Sequence, residues 1–195
     1  MRPIQSTDPT GHFLLERWPR RARRAIPAGA LIVVEDGEVA VLLDDRAAGP
    51  RVFPAGDHPI DEATGSALVV FLRPLPSEFL WGSAEPIQPV GSACGFRAHG
   101  TLRAAIADPG RAALALAEER ALATQDEVAA FLRGLVVERL REALEGAPRE
   151  ASEAPQRWTD AMSARLATDL AECGLTLDAL AILGLRPTGG AERRG

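Results

Sequence analysis

The hydrophobic pattern of this chain changes period near its middle, from the short runs of a strand-rich first half to the three- and four-residue steps of helices. Residues 31–34 (LIVV) and 39–43 (VAVLL) are strand formers on either side of Asp36-Gly37. That dipeptide is the preferred centre of a type I′ turn, so a β-hairpin is expected over 29–45. Arg51-Val52-Phe53 reads as a short strand ended by Pro54-Ala55-Gly56, followed by His58 in a surface loop and a polar turn over 61–66. ALVVFL (67–72) is continuously apolar and is stopped by Pro74 and Pro76. Beyond it, Pro86 and Pro89 restrict the strands of 77–91 to short or edge positions, with Trp81 in the core.

The stretch 96–146 organises the rest. Phe96, Ala98, Gly100, Leu102, Ala104 and Ile106 alternate with Arg97, His99, Thr101, Arg103, Ala105 and Ala107, the signature of a half-buried strand. Asp108-Pro109 then opens a helix, because Asp caps well and Pro at the first helical position gives up only an N–H without a partner. Thr124 and Glu127 form a capping box for a second helix. Its apolar stripe is Val128, Phe131, Leu132, Leu135, Val136, Leu140, Ala143 and Leu144, with Gly146 and Pro148 as the stop. Gly134, mid-helix, either admits a neighbouring backbone or is tolerated by a strong stripe.

Residues 146–157 read as a polar, mobile connector. Trp158, Met162, Leu166, Leu170 and Cys173 mark a third helix ended by Gly174, and 175–187 return as a strand stopped by Pro187. The expected fold is therefore α+β: an antiparallel β-rich part followed by β-α-α-α-β. Residues 1–15 are taken as a polar lead-in, 16–187 as one domain and 188–195 as a tail. Ile106, Phe131 and Leu183 are expected to share its single interior.

Composition narrows the chemistry. The 195 residues contain no Lys, Tyr or Asn, which removes P-loop and Schiff-base lysines, phenolic acids and N-glycosylation acceptors. A net charge of −5 argues against nucleic acid as the main partner. Cys94 and Cys173 stand apart and are read as buried thiols. His12, His58 and His99 lack metal-ligand spacing; His99, on the polar side of its strand, reads as an exposed sheet residue. The carboxylate pairs Asp44-Asp45, Asp61-Glu62 and Glu118-Glu119 read as solvated. No catalytic residue, cofactor or metal site is expected, and no small-molecule substrate. With no apolar run of spanning length and no signal-peptide core, the chain is expected in the cytoplasm.

One charged cluster stands out. Arg17, Arg20, Arg21, Arg23 and Arg24 surround Trp18. It reads either as a contact for an anionic lipid surface or acidic partner, or as a solvated basic arm whose Trp18 packs on the following sheet.

Four segments together resemble the SPFH family (stomatin, prohibitin, flotillin and the bacterial HflK and HflC proteins), also called Band 7. The likeness is greatest to its soluble bacterial, virion-core-protein-like branch. The segments are GALIVVEDGEVAVLLDDR running to RVFPAGDHPI, FLWGSAEPIQPV, FRAHGTLRAAIADPGRAALAL with its Asp-Pro before a helix, and AECGLTLDALAILGLRP. In order they span 16–187. The resemblance implies an SPFH-like α+β domain without catalytic residues, acting as an oligomeric scaffold or adaptor, often near membranes or AAA+ proteases. Typical members carry a membrane anchor and a long coiled coil. Neither pattern occurs in these residues, so any oligomer is expected to use the domain surface: sheet edges and the Val128–Leu144 helix, with Val137 and Arg141 facing a partner. The alternative is a peripheral module binding anionic membranes through the Arg17–Arg24 arm.

Overall fold

The structure is a computed structural model, and it describes residues 3–7, 14–92 and 94–188. Among these the fold is α+β, as the pattern implies. The elements are β1 (Leu15–Trp18), β2 (Leu31–Val34), β3 (Val39–Asp44), β4 (Arg51–Phe53), β5 (Gly56–Pro59), β6 (Ala67–Leu72), β7 (Ser77–Gly82) and β8 (Gly95–Ile106). Helix α1 (Pro109–Ala112) continues as a π-helical segment, Ala113–Glu119, and is followed by α2 (Gln125–Ala143), a 3₁₀ turn (Arg149–Glu153), α3 (Pro155–Glu172) and β9 (Leu175–Thr188). His12 lies outside the described residues.

The chain groups into two compact units: Met1–Ser77 with Ala105–Ala129 and Ala171–Thr176, and Glu78–Ala104 with Ala130–Leu170 and Leu177–Gly195. The domain read over 16–187 draws on both. Its lower bound falls inside β1. Part of the lead-in also belongs to the core: Ile4 is buried and bridges Ile32, with its N–H donating to Leu31 O at 2.8 Å.

The first unit holds a four-stranded sheet in the order β1-β6-β3-β4 and a two-stranded sheet of β2 with β5. Every β6 residue is buried, which explains its unbroken apolar run: both faces are covered. One face, with Ala67, Val69 and Phe71 beside Ala40 and Leu42, packs on Ile26, Ile32, Val34 and Ile60. Toward the other, the π-helical segment packs against β3 and β6.

The expected hairpin does not form. β3 pairs with β4 on one side and β6 on the other, leaving β2 to pair with β5. Glu38 N–H closes a turn onto Glu35 O at 3.0 Å, and within it only Gly37 has positive φ, at +80°. A type I′ turn needs positive φ at both central positions, so this turn directs the chain into a different sheet. His58 is likewise a strand residue rather than a loop residue. It pairs with Ile32, approaches Pro54 O at 2.7 Å and packs on Phe53.

The β8–α1 junction forms as expected. Asp108 Oδ1 accepts from Arg111 N–H at 3.0 Å, with Pro109 in the first turn. The capping box is also present: Glu127 accepts from Ala123 N–H at 2.6 Å and Thr124 N–H at 3.1 Å, while Thr124 Oγ1 accepts from Glu127 N–H at 3.4 Å. The bond from Ala123 N–H, reinforced by Thr124, holds the Glu127 carboxyl below its usual range despite the opposing effect of burial. The fully buried stripe of α2 is narrower than predicted: Val128, Leu132, Val136 and Leu140, each one four-residue step apart, with Leu144 the next step just past the helix end.

The second unit holds the three-stranded sheet β7-β8-β9 with the greater part of α2 and α3. β7 is an edge strand and Trp81 is buried, both as read. The segment 146–157 is not an open connector. Ala147 and Ala151 are buried, Ser92 Oγ donates to Ala147 O at 2.9 Å, and Trp158 Nε1–H donates to Ala151 O at 2.8 Å across the 3₁₀ turn. Phe131 and Leu183 group with this unit and Ile106 with the other, and Leu183 is 64% exposed rather than interior.

Gly174 takes φ +73°, and a Cβ there would lie 2.6 Å from Ala112 N and Asp108 O. Gly37 has φ +80° with open space around it. Gly37→Ala is therefore expected to cost about 1–2 kcal/mol through its backbone alone. Gly174→Ala should cost several kcal/mol, because steric displacement adds to the same backbone penalty. Urea titration of the two variants checks the order; equal losses would mean that Gly174 is not tightly enclosed.

Candidate interaction site

The basic run is dispersed by the fold. Arg17 lies on β1 at 8% exposure, with Nη1 donating to Ala117 O at 3.3 Å and Nη2 to Arg21 O at 3.5 Å. Arg23 pairs with Glu118 at 2.8 Å and donates to Leu43 O at 3.0 Å. Both guanidinium groups are engaged within the first unit. Arg20, Arg21 and Arg24 are exposed; Arg20 reaches Thr7 and Glu16, while Arg24 sits over the Trp18 ring at 5.3 Å. Trp18 itself packs on the sheet core, as the structural reading of the arm had it. Trp18 and Arg24 also line a cavity of about 550 Å³ with Pro3, Ile4, Ile26 and Pro27.

In the second unit, a cavity of about 480 Å³ runs between residues 82–88 and one side of α2. Gly134 lies in its wall with nothing within 4 Å of the position of a Cβ, so no backbone among the described residues explains that glycine. Val137 and Arg141, predicted to face a partner, both line this groove, as does Arg133. Arg141 is ion-paired with Glu138, which raises its pKa further.

The helix pair beneath is joined by charge. Arg139 Nε donates to Asp169 Oδ2 at 2.5 Å and Nη1 to Glu142 at 2.7 Å, while Arg165 approaches Glu142 at 3.3 Å. Asp169 and then Glu142 hold the Arg139 guanidinium firmly charged, and Arg139 holds the Glu142 carboxyl below its ordinary range.

On the sheet, β8 and β9 run antiparallel: Ala107 and Asp108 N–H both donate to Gly174 O at 3.0 Å, and farther along His99 lies across Gly184. Glycine at 184 leaves the space that the imidazole fills. His99 is exposed and lines none of the three cavities described here, the third being formed by Arg23, Leu43–Asp45, Ala47–Pro50, Leu114 and Glu118. Asp178 comes within 3.9 Å of Arg103. β9 is an edge strand of fourteen residues. Leu183 on β9 and Leu80 on the opposite edge β7 are exposed, at 64% and 74%.

The remaining candidates are structural. Asp44 accepts from Gly65 and Arg46 N–H, and Asp45 from Ser66 N–H, so this pair organises turns rather than standing free in solvent. Cys173 is buried but Cys94 only half so. Among the described residues, no group of three or more His, Cys, Asp or Glu could hold a metal ion, and no helix is long and apolar enough to cross a membrane. Compared with known proteins, the chain matches no family model and no curated protein.

Sequence reasoning did not single out β9 as a surface. Its alternation is irregular, with Asp178 and Ala179 both exposed, and that break could have been read from TLDALAIL.

The Glu142 carboxyl carries a pH dependence. Its folded pKa lies below the unfolded value, so its contribution is complete above the ordinary glutamate range and is lost as pH falls through the lowered value. Glu142→Gln should destabilise at pH 7, and the gap from the parent should close on acidification. Denaturant midpoints at pH 7, 5 and 3 check this, and a gap constant with pH would contradict it.

Proposed function

We propose that this chain is a non-enzymatic scaffold or adaptor of the SPFH type, which self-associates or binds a protein partner, at a membrane-associated or AAA+ assembly. The observation that carries the reading is β9: a long edge strand whose outer backbone has no neighbouring strand among the described residues and whose Leu183 is exposed. Such an edge is a template for pairing with another chain. The groove holding Val137 and Arg141 supports the same reading. The SPFH assignment is supported by element order: a strand ending at Asp108-Pro109, helices, Gly174 and a final strand running through Pro187.

A second reading rests on Arg20, Arg21 and Arg24, exposed around Trp18. At about 1 kcal/mol per arginine near an anionic leaflet, three give weak, salt-sensitive attachment.

Size-exclusion chromatography with light scattering is expected to show a mass that rises with concentration to at least two chains. A single-chain mass throughout overturns self-association. Flotation with phosphatidylserine vesicles at low and high salt tests the second reading, which fails if no protein floats at low salt.

A further inference from the structure

We propose that the free edge of β9 pairs with the same edge of a second copy of this chain. The pairing is antiparallel and two-fold, in the register that sets Asp178 of each copy against Arg186 of the other. This specifies the self-association proposed above and rests on it.

The edges of this fold are not equivalent. β1 is covered: Arg17 N–H donates to Ala123 O at 3.3 Å and Leu14 N–H to Gln125 Oε1 at 2.7 Å. β4 is three residues long and carries Arg51, and β7 is six long with Glu78 exposed. Shortness, charge and covering are the usual protections of a strand edge. Among the described residues, β9 has none of them over its centre. It is fourteen residues long, and Ala179 through Leu185 (ALAILGL) carries no charge. An edge of this kind is an aggregation template unless something occupies it.

Charge selects the occupant and its direction. The uncharged run is bounded by Asp178 and Arg186, of opposite sign and both exposed. Arg186 makes no ion pair among the described residues, and Asp178 has only the 3.9 Å approach of Arg103. Antiparallel pairing about an axis at Ile182 places Asp178 opposite Arg186 at both ends and Leu183 opposite Ala181 in between. Parallel in-register pairing would oppose like charges at both positions, which is destabilising. A second copy therefore complements the strand in one direction only.

The test uses the full chain. At low salt, Asp178→Arg and Arg186→Asp should each raise the dimer dissociation constant about tenfold, since each reversal turns two cross-strand attractions into repulsions. The double variant should return it to near the parent value, because the pairs are re-formed with their signs exchanged. Spin labels on Leu183→Cys should report a short separation between copies, because the two positions are diagonal neighbours of the paired strands, about 7–8 Å apart and somewhat less between their Cβ atoms. Single reversals that leave the dissociation constant unchanged, or labels too far apart to couple, overturn this interface while leaving another mode of self-association standing. A parent protein that stays monomeric overturns the interface and the scaffold reading together.

Discussion

A strand buried on both faces has no water available to its peptide groups, so β6 must be flanked by strands on both sides. β1 and β3 take those positions, in registers that pair Leu15 through Trp18 with Leu72 through Val69, and Val39 through Asp44 with Leu72 through Ala67. β3, once set against β6, has one edge left, and β4 fills it. Nothing remains for β2, which pairs with β5 instead. The layout of the first unit follows from six apolar residues and the requirement that their N–H and C=O groups be paired.

This explains which parts of the fold were readable from the residues. Where the signal is local, reading and structure agree: the alternation over Phe96–Ile106, the Asp108-Pro109 start, the Thr124/Glu127 cap and the Gly174 stop depend on near neighbours. Strand pairing is a competition among distant segments, and the Asp36-Gly37 dipeptide cannot report that β3 has better partners elsewhere. The connector before α3 was misread for a related reason. Its polar composition conceals Ala147 and Ala151, which are buried because Ser92 and Trp158 bond their carbonyl groups.

The candidate surface was less legible than the fold. Five arginines in eight residues suggest one patch, yet β1 turns Arg17 into the fold and Glu118 holds Arg23. Charge density along a sequence therefore overstates charge density on a surface. β9 shows the opposite case. Its apolar composition reads as interior, while its edge position leaves Leu183 in solvent.

The junction where Ala107 and Asp108 meet Gly174 has a topological consequence. It ties the chain's departure from β8 and its entry to β9 to one carbonyl group, so the helical excursion between them is a closed loop with fixed ends. Because closure entropy grows only logarithmically, at about 0.6 kcal/mol per doubling of length, such an excursion can be lengthened with little effect on its anchor. The length of the excursion thus weighs little on its closure, and it is the packing of Ala147 and Ala151, held through Ser92 and Trp158, that sets the spacing between α2 and α3.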